Sequence, residues 1–220
     1  MRYEPAFKEE RPAWFSIMSL TDLEVDQATQ MDGLRESVEY ISGLTKQEIA
    51  HLQRVGRDTK DLFVVARSMG SSVAVWTMLV KLPEVRQIGG VVLTGSWLVF
   101  ARAIDELLGK NVRSPTHGTK PVHEDALGFV KTMLPASTET ESDESHPLRQ
   151  VPILMGHSVD DQWISIDLGR QMRDVLANFG CEADLHEYVG AADDGHWMKE
   201  PEEMDKIASF LENCITNERG

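Results

Sequence analysis

Three short stretches of this sequence carry residue types able to cut an acyl bond. In Ala66-Arg67-Ser68-Met69-Gly70 a serine stands between an apolar run, Leu62-Phe63-Val64-Val65-Ala66, and the helix-prone SSVAVWTMLVKL. A strand–turn–helix context of this kind presents the hydroxyl on a strained elbow, and small residues two before and two after let strand and helix approach. Ala66 and Gly70 supply that smallness. In the second stretch, Val151 to Asp161, an apolar run again leads into a polar loop, which carries Asp160 and Asp161. The third, GAADDGHW from Gly190 to Trp197, sets His196 between Gly195 and Trp197. Serine, carboxylate and imidazole in that chain order, each at the end of a separate expected strand, suit nucleophilic acyl transfer. The histidine takes the serine proton and the carboxylate holds the imidazole in the productive tautomer. On spacing alone Asp160 and Asp161 compete for the acid, and either can instead cap the helix that follows. The remaining histidines (51, 117, 123, 146, 157 and 186) are expected to include several plain solvated side chains.

These groups need a scaffold that brings the ends of separate strands together. Short continuous apolar runs mark strands buried on both faces; strands are expected on such runs at 61–66, 88–93 and 151–156, and a fourth strand at 184–189. Between them the period changes. From Asp26 to Arg54 apolar residues recur at three- or four-residue steps, which predicts a long amphipathic helix. Further helices are expected over Ser71–Leu82, near Ile166–Phe179 with Gly180 beyond its end, and from about Pro201 to Ile215. Alternating strands and helices give an α/β fold, one parallel sheet covered on both faces, with right-handed crossovers and the four strands adjacent in chain order. Residues 1–13 are expected to be extended or loose. Residues 109–150 break the rhythm as an insertion, with an acidic Ser/Thr-rich loop at 136–146 and one short amphipathic helix around Leu127–Leu134.

Bulk properties narrow the function classes. The 220 residues are most simply one domain that buries roughly 70% of its unfolded surface. A formal charge of −14 without a basic cluster disfavours nucleic acid and anionic membranes as partners. Cys181 and Cys214 form neither a metal-ligand spacing nor a disulfide framework. No apolar run approaches the ~20 residues of a membrane span, and the start lacks the apolar core of a signal peptide. A cytoplasmic protein without metal or organic cofactor is the expectation.

With these residues in view, the chain resembles the acyl-protein thioesterase / carboxylesterase / lysophospholipase family of α/β-hydrolases, particularly its fungal branch. Ala13-Trp14-Phe15-Ser16-Ile17 resembles the family's Trp-Phe-Asp segment, and Ile88 to Leu98 its Gly-Val-x-x-Leu-Ser-Gly-x-Leu strand. His157-Ser158-Val159-Asp160-Asp161 is similar to His-Gly-x-x-Asp, which assigns the acid to Asp161, and Gly195-His196 matches the catalytic histidine. Ser71 and Ser158 stand where glycine is usual, and Arg67-Ser68-Met69 replaces the commoner x-Ser-Gln. The resemblance implies a hydrolase of carboxylic esters or thioesters, including small esters, lysophospholipids or acylated proteins, with Ser68, His196 and Asp161 catalytic and the Met69 N–H donating to the oxyanion. Leu98, Val99, Phe100 and Leu127–Leu134 would line an acyl groove or pack in the core. Family members also begin with a strand ending in His-Gly-x-Gly, absent before Trp14 here. An N-terminally shortened fold follows, with Phe63, Val64 and Val65 on an open sheet edge suited to self-association. So does a second function class, an impaired or inactive relative acting by association.

Overall fold

The computed structural model describes residues 2–4, 9–80, 86–109, 122–134 and 150–217. In chain order the elements are β1 (Arg2–Glu4), β2 (Glu9–Arg11), α1 (Ala28–Arg54), β3 (Phe63–Arg67), α2 (Met69–Val80), β4 (Gly90–Thr94), α3 (Ala101–Leu107), α4 (Glu124–Met133), β5 (Ile153–Ser158), α5 (Ile166–Asn178), β6 (Ala183–Tyr188) and α6 (Glu202–Asn217).

Strands β3, β4, β5 and β6 form one sheet in that order, every neighbouring pair parallel. The expected spatial order is therefore found. The first three strands begin two residues later than the apolar runs do. Asp58 accepts from the Lys60 N–H and starts a single 3₁₀ turn at Thr59–Asp61, which consumes the residues before β3. At the other end the strands carry past their apolar stretch into Arg67, Thr94 and Ser158. The chain expected to be extended or loose at the start is paired at Arg2–Glu4 and Glu9–Arg11, as an antiparallel ribbon separate from the main sheet. Backbone pairing of that kind needs no apolar pattern, so periodicity does not reveal it. α3 was likewise not foreseen, because its five buried residues, including Arg102 and Asp105, leave no polar face to set a period.

Both faces of the sheet are covered, unequally. The side chains of Val91, Leu93, Ile153 and Met155 join α1 to α5 in the main core. Trp76 of α2 sits at its centre, edge-on to Phe100 and Phe129, with its indole N–H donating to the Val99 carbonyl at 3.1 Å. Leu98, Val99, Phe100, Phe129 and Val130 are all buried here, so they pack the core rather than line a groove. Removing an aromatic ring from such a site costs roughly 3–5 kcal/mol. Among the described residues the opposite face carries α6 alone, through Val92, Leu154 and Ile207. Among the described residues β3 ends the sheet, and Val65 is 59% exposed there. The acidic run at 136–146 lies outside the described residues; α4 occupies the place of the short helix expected before it.

Candidate active site

The serine comes first because the backbone is bent to present it. Ser68 has φ +52°, in the left-handed region that non-glycine residues rarely adopt. Its N–H donates to the Thr94 carbonyl at 3.0 Å, so β4 holds the turn in place. Met69 then opens α2, and the first N–H groups of a helix have no partner within it. A Cβ added at Gly70 would make only an ordinary contact with the Trp14 indole, 3.5 Å from Nε1, so Trp14 does not demand the glycine. Ser71, in the position where glycine is usual, is tied down. Its hydroxyl donates to the Ala66 carbonyl at 3.2 Å and accepts from Ser96 at 3.1 Å.

The histidine reaches the serine from the loop after β6. Asp193, Asp194 and Gly195 all have positive φ, which coils the loop back over the sheet. Gly195 is required there: a Cβ would meet the Asp160 carbonyl oxygen at 2.6 Å and the Asp161 Cα at 2.8 Å. The imidazole then lies with Nε2 3.0 Å from the Ser68 hydroxyl and Nδ1 2.7 Å from Asp161 Oδ2. Ser68, His196 and Asp161, from three chain segments, thus form one continuous hydrogen-bonded line.

The two aspartates separate cleanly. Asp160 turns away and accepts from the Gly190 N–H at 2.9 Å, holding the start of the histidine loop. Neither caps α5, since Ser165 does so by accepting from the Asp167 N–H. Asp161 is buried and fully engaged. Oδ1 accepts the N–H groups of Trp163 and Ile164 at 2.8 and 2.9 Å, while Oδ2 faces His196 and, at 3.3 Å, His157 Nε2. Burial by itself would raise this carboxyl, but the hydrogen bonds from His157, His196 and Ile164 outweigh it and hold Asp161 well below the usual carboxylate range. An ionised Asp161 only accepts, so the His196 proton resides on Nδ1 and Nε2 is free to accept from Ser68.

Sequence reasoning missed two neighbours. His157, grouped with the histidines outside the site, is 1% exposed and also contacts the Ile164 carbonyl at 3.0 Å. The signal was its place in an apolar strand, where a polar side chain must find a partner. The other is Arg67, whose Nη2 donates to the His196 carbonyl at 2.6 Å and whose guanidinium lies 4.5 Å from the Trp197 ring centre. A cavity of about 890 Å³ opens over the serine, lined by Trp14, Leu20, Trp97, Trp163, Ser68 and His196 among others. Among the described residues no group of three or more His, Cys, Asp or Glu is arranged to hold a metal ion. No helix among them is long and apolar enough to cross a membrane.

The profile of the phospholipase/carboxylesterase family matches residues 4–121, which include Ser68 but stop short of Asp161 and His196. Comparison with curated proteins gives no match. Several solved structures share the fold. SOBER1 of Arabidopsis thaliana superposes with a TM-score of 0.62 at 17% identity, over 97% of this chain and 80% of that one. Acyl-protein thioesterase 2 of Zea mays gives 0.60 at 21% identity, over 97% and 77%. The carboxylesterase of Bacillus cereus gives 0.52 at 12% identity, over 92% and 69%.

Proposed function

The chain belongs to the phospholipase/carboxylesterase family, and from that premise we propose that it is a serine hydrolase of carboxylic esters or thioesters. The observation that carries this reading is the unbroken line from the Ser68 hydroxyl through His196 to the buried Asp161, opening onto one cavity. His196 Nε2 takes the Ser68 proton as Oγ attacks the acyl carbonyl. The resulting imidazolium is held by Asp161, and the carbonyl electrons move onto oxygen, where the Met69 N–H donates to them. As the tetrahedral intermediate collapses, His196 returns the proton to the departing alkoxide or thiolate. Water, activated by the same imidazole, then frees the acid and restores Ser68. The Trp14, Trp97, Trp163 and Leu20 surfaces lining the cavity suit an apolar acyl group better than a charged one.

The test is a matched series of p-nitrophenyl esters and an acyl thioester from C2 to C16, hydrolysed by the protein and by its Ser68→Ala variant. Turnover that rises with chain length and vanishes in Ser68→Ala is expected. No turnover of any member, or turnover unchanged in Ser68→Ala, would overturn the assignment.

A further inference from the structure

The register of the sheet places an unusual set of polar side chains on one face. Arg67 pairs with Thr94, and Thr94 with Gly156, so the three point the same way. Ser158, two residues on from Gly156, joins them. This is the face that α6 covers: Gly90, on the same side of β4, would meet Phe210 if it bore a Cβ, and Gly156 would collide with the carboxylate of Glu203. Beneath the histidine loop, therefore, the apolar packing of Val92, Leu154 and Ile207 gives way to Arg67, Thr94, Ser158 and Glu203. Glu203 is 4% exposed. A buried carboxylate on the N-terminal turn of a helix has to be offset by something it does.

What Glu203 touches is the far side of the histidine loop. Its Oε2 accepts the Lys199 N–H at 2.8 Å, and its own N–H donates to the Lys199 carbonyl at 2.8 Å. Lys199 Nζ in turn donates to the Gly190 carbonyl at 3.0 Å, closing the loop on itself. Arg67 grips the same loop from the nucleophile side, donating to the His196 carbonyl, stacking on Trp197 and lying 3.6 Å from Asp193. The loop that carries the imidazole is thus held at His196 from β3 and at Lys199 from α6. Gly156 is glycine because Glu203 occupies the space a side chain would fill.

We infer that Arg67 and Glu203 are a pair of positioning residues that fix the backbone on either side of the His196 imidazole. This rests on the hydrolase reading for its kinetic arm, but not for its spectroscopic one. Glu203 does not line the cavity, so its removal should leave substrate binding alone while loosening the geometry in which Ser68 loses its proton. Displacement of a reacting group by about 1 Å costs on the order of 100-fold in rate.

The experiment compares Glu203→Ala and Glu203→Gln with the unaltered protein on one ester, and follows the downfield proton resonance of His196 Nδ1–H by NMR in each. Glu203→Ala should lower kcat at least about tenfold, with KM within about twofold, and broaden or lose the resonance. Glu203→Gln keeps an acceptor for the Lys199 N–H and should restore both. Arg67 itself lines the cavity, so Arg67→Met and Arg67→Lys, used if Glu203→Ala does not fold, are read on kcat and the resonance and not on KM: loss in the first, partial recovery in the second. The inference is overturned if Glu203→Ala or Arg67→Met keeps kcat and the resonance, or if Glu203→Gln is as defective as Glu203→Ala. If the unaltered protein hydrolyses no ester, the hydrolase assignment fails and the resonance alone decides the brace, sharp in the unaltered protein and lost in Glu203→Ala.

Discussion

Replacing Asp161 by asparagine exchanges one carboxylate oxygen for an NH2 group, and the surroundings dictate which side each takes. Oδ1 accepts two backbone N–H groups, from Trp163 and Ile164, so the amide oxygen must take that side. The amide nitrogen is then left facing His196 Nδ1 and His157 Nε2. A donor against Nδ1 forces that nitrogen to accept, which moves the imidazole proton to Nε2, where it faces Ser68 and cannot take its proton. In a serine protease the same substitution lowers kcat by about 10⁴, some 5.4 kcal/mol of transition-state stabilisation. His157 adds a stability cost. Its Nε2 is already against the Ile164 carbonyl and so carries hydrogen, leaving two donors face to face. An unsatisfied buried pair costs roughly 1–3 kcal/mol. At about 2–4 °C of Tm per kcal/mol for a chain of this size, Asp161→Asn should melt a few degrees to about 10 °C lower. The assay is kcat on one ester beside near-UV circular dichroism, so that loss of fold and loss of tautomer are separated. A folded Asp161→Asn protein that keeps kcat within tenfold would refute the tautomer argument.

Other perturbations should act as follows. Gly195→Ala, with φ +86° and backbone atoms within 2.6–2.8 Å of the new Cβ, should displace the histidine loop and lower kcat about 100-fold, while leaving most of the fold by circular dichroism. Phe129→Ala removes a ring stacked 4.7 Å from Phe100 and should cost roughly 3–5 kcal/mol, read as a lower denaturation midpoint. Asp161 is held below its unfolded value, so the stability it contributes is present above pH about 4 and lost as the pH falls further. Thermal melts from pH 7 to 2 should therefore fall more steeply for the unaltered protein than for Asp161→Asn. Glu203 is shifted the other way, by burial first, against the Lys199 N–H and the charges of His157 and Arg67. Its contribution is present below about pH 4.3 and lost as pH rises through its elevated pKa, so Glu203→Gln should gain Tm relative to the parent at pH 7 and not at pH 4.

The scaffold was legible because three uninterrupted apolar runs announced β3, β4 and β5, of which β4 and β5 are buried along their whole length; β6, with Asp184, His186 and Glu187 in it and only partial burial, was legible from its place between two helical periods instead. The candidate site was legible in part, because the strand ends that present Ser68, Asp161 and His196 are where apolar sequence turns polar. Choosing Asp161 over Asp160 needed the family resemblance; in the structure the pair divides because the Ser158–Asp161 turn aims one carboxylate inward and the other at Gly190. Arg67, His157 and Glu203 stayed hidden for a common reason. Arg67 and His157 sit inside recognisable motifs, but their partners are 129 and 7 residues away; Glu203 lies beyond any motif and fills the space beside Gly156 on another element, and only the parallel register shows which side chains share a face. β1 and β2 were invisible because backbone pairing needs no apolar pattern in the sequence.

The central claim is that Ser68 is activated by His196 and Asp161, and reaction with a fluorophosphonate probe tests it without knowledge of the substrate. Intact-mass and peptide mapping should show one adduct, on Ser68, formed at least about 100-fold more slowly in His196→Ala and not at all in Ser68→Ala. An adduct on another serine, or equal labelling rates for the unaltered protein and folded His196→Ala, would contradict the account.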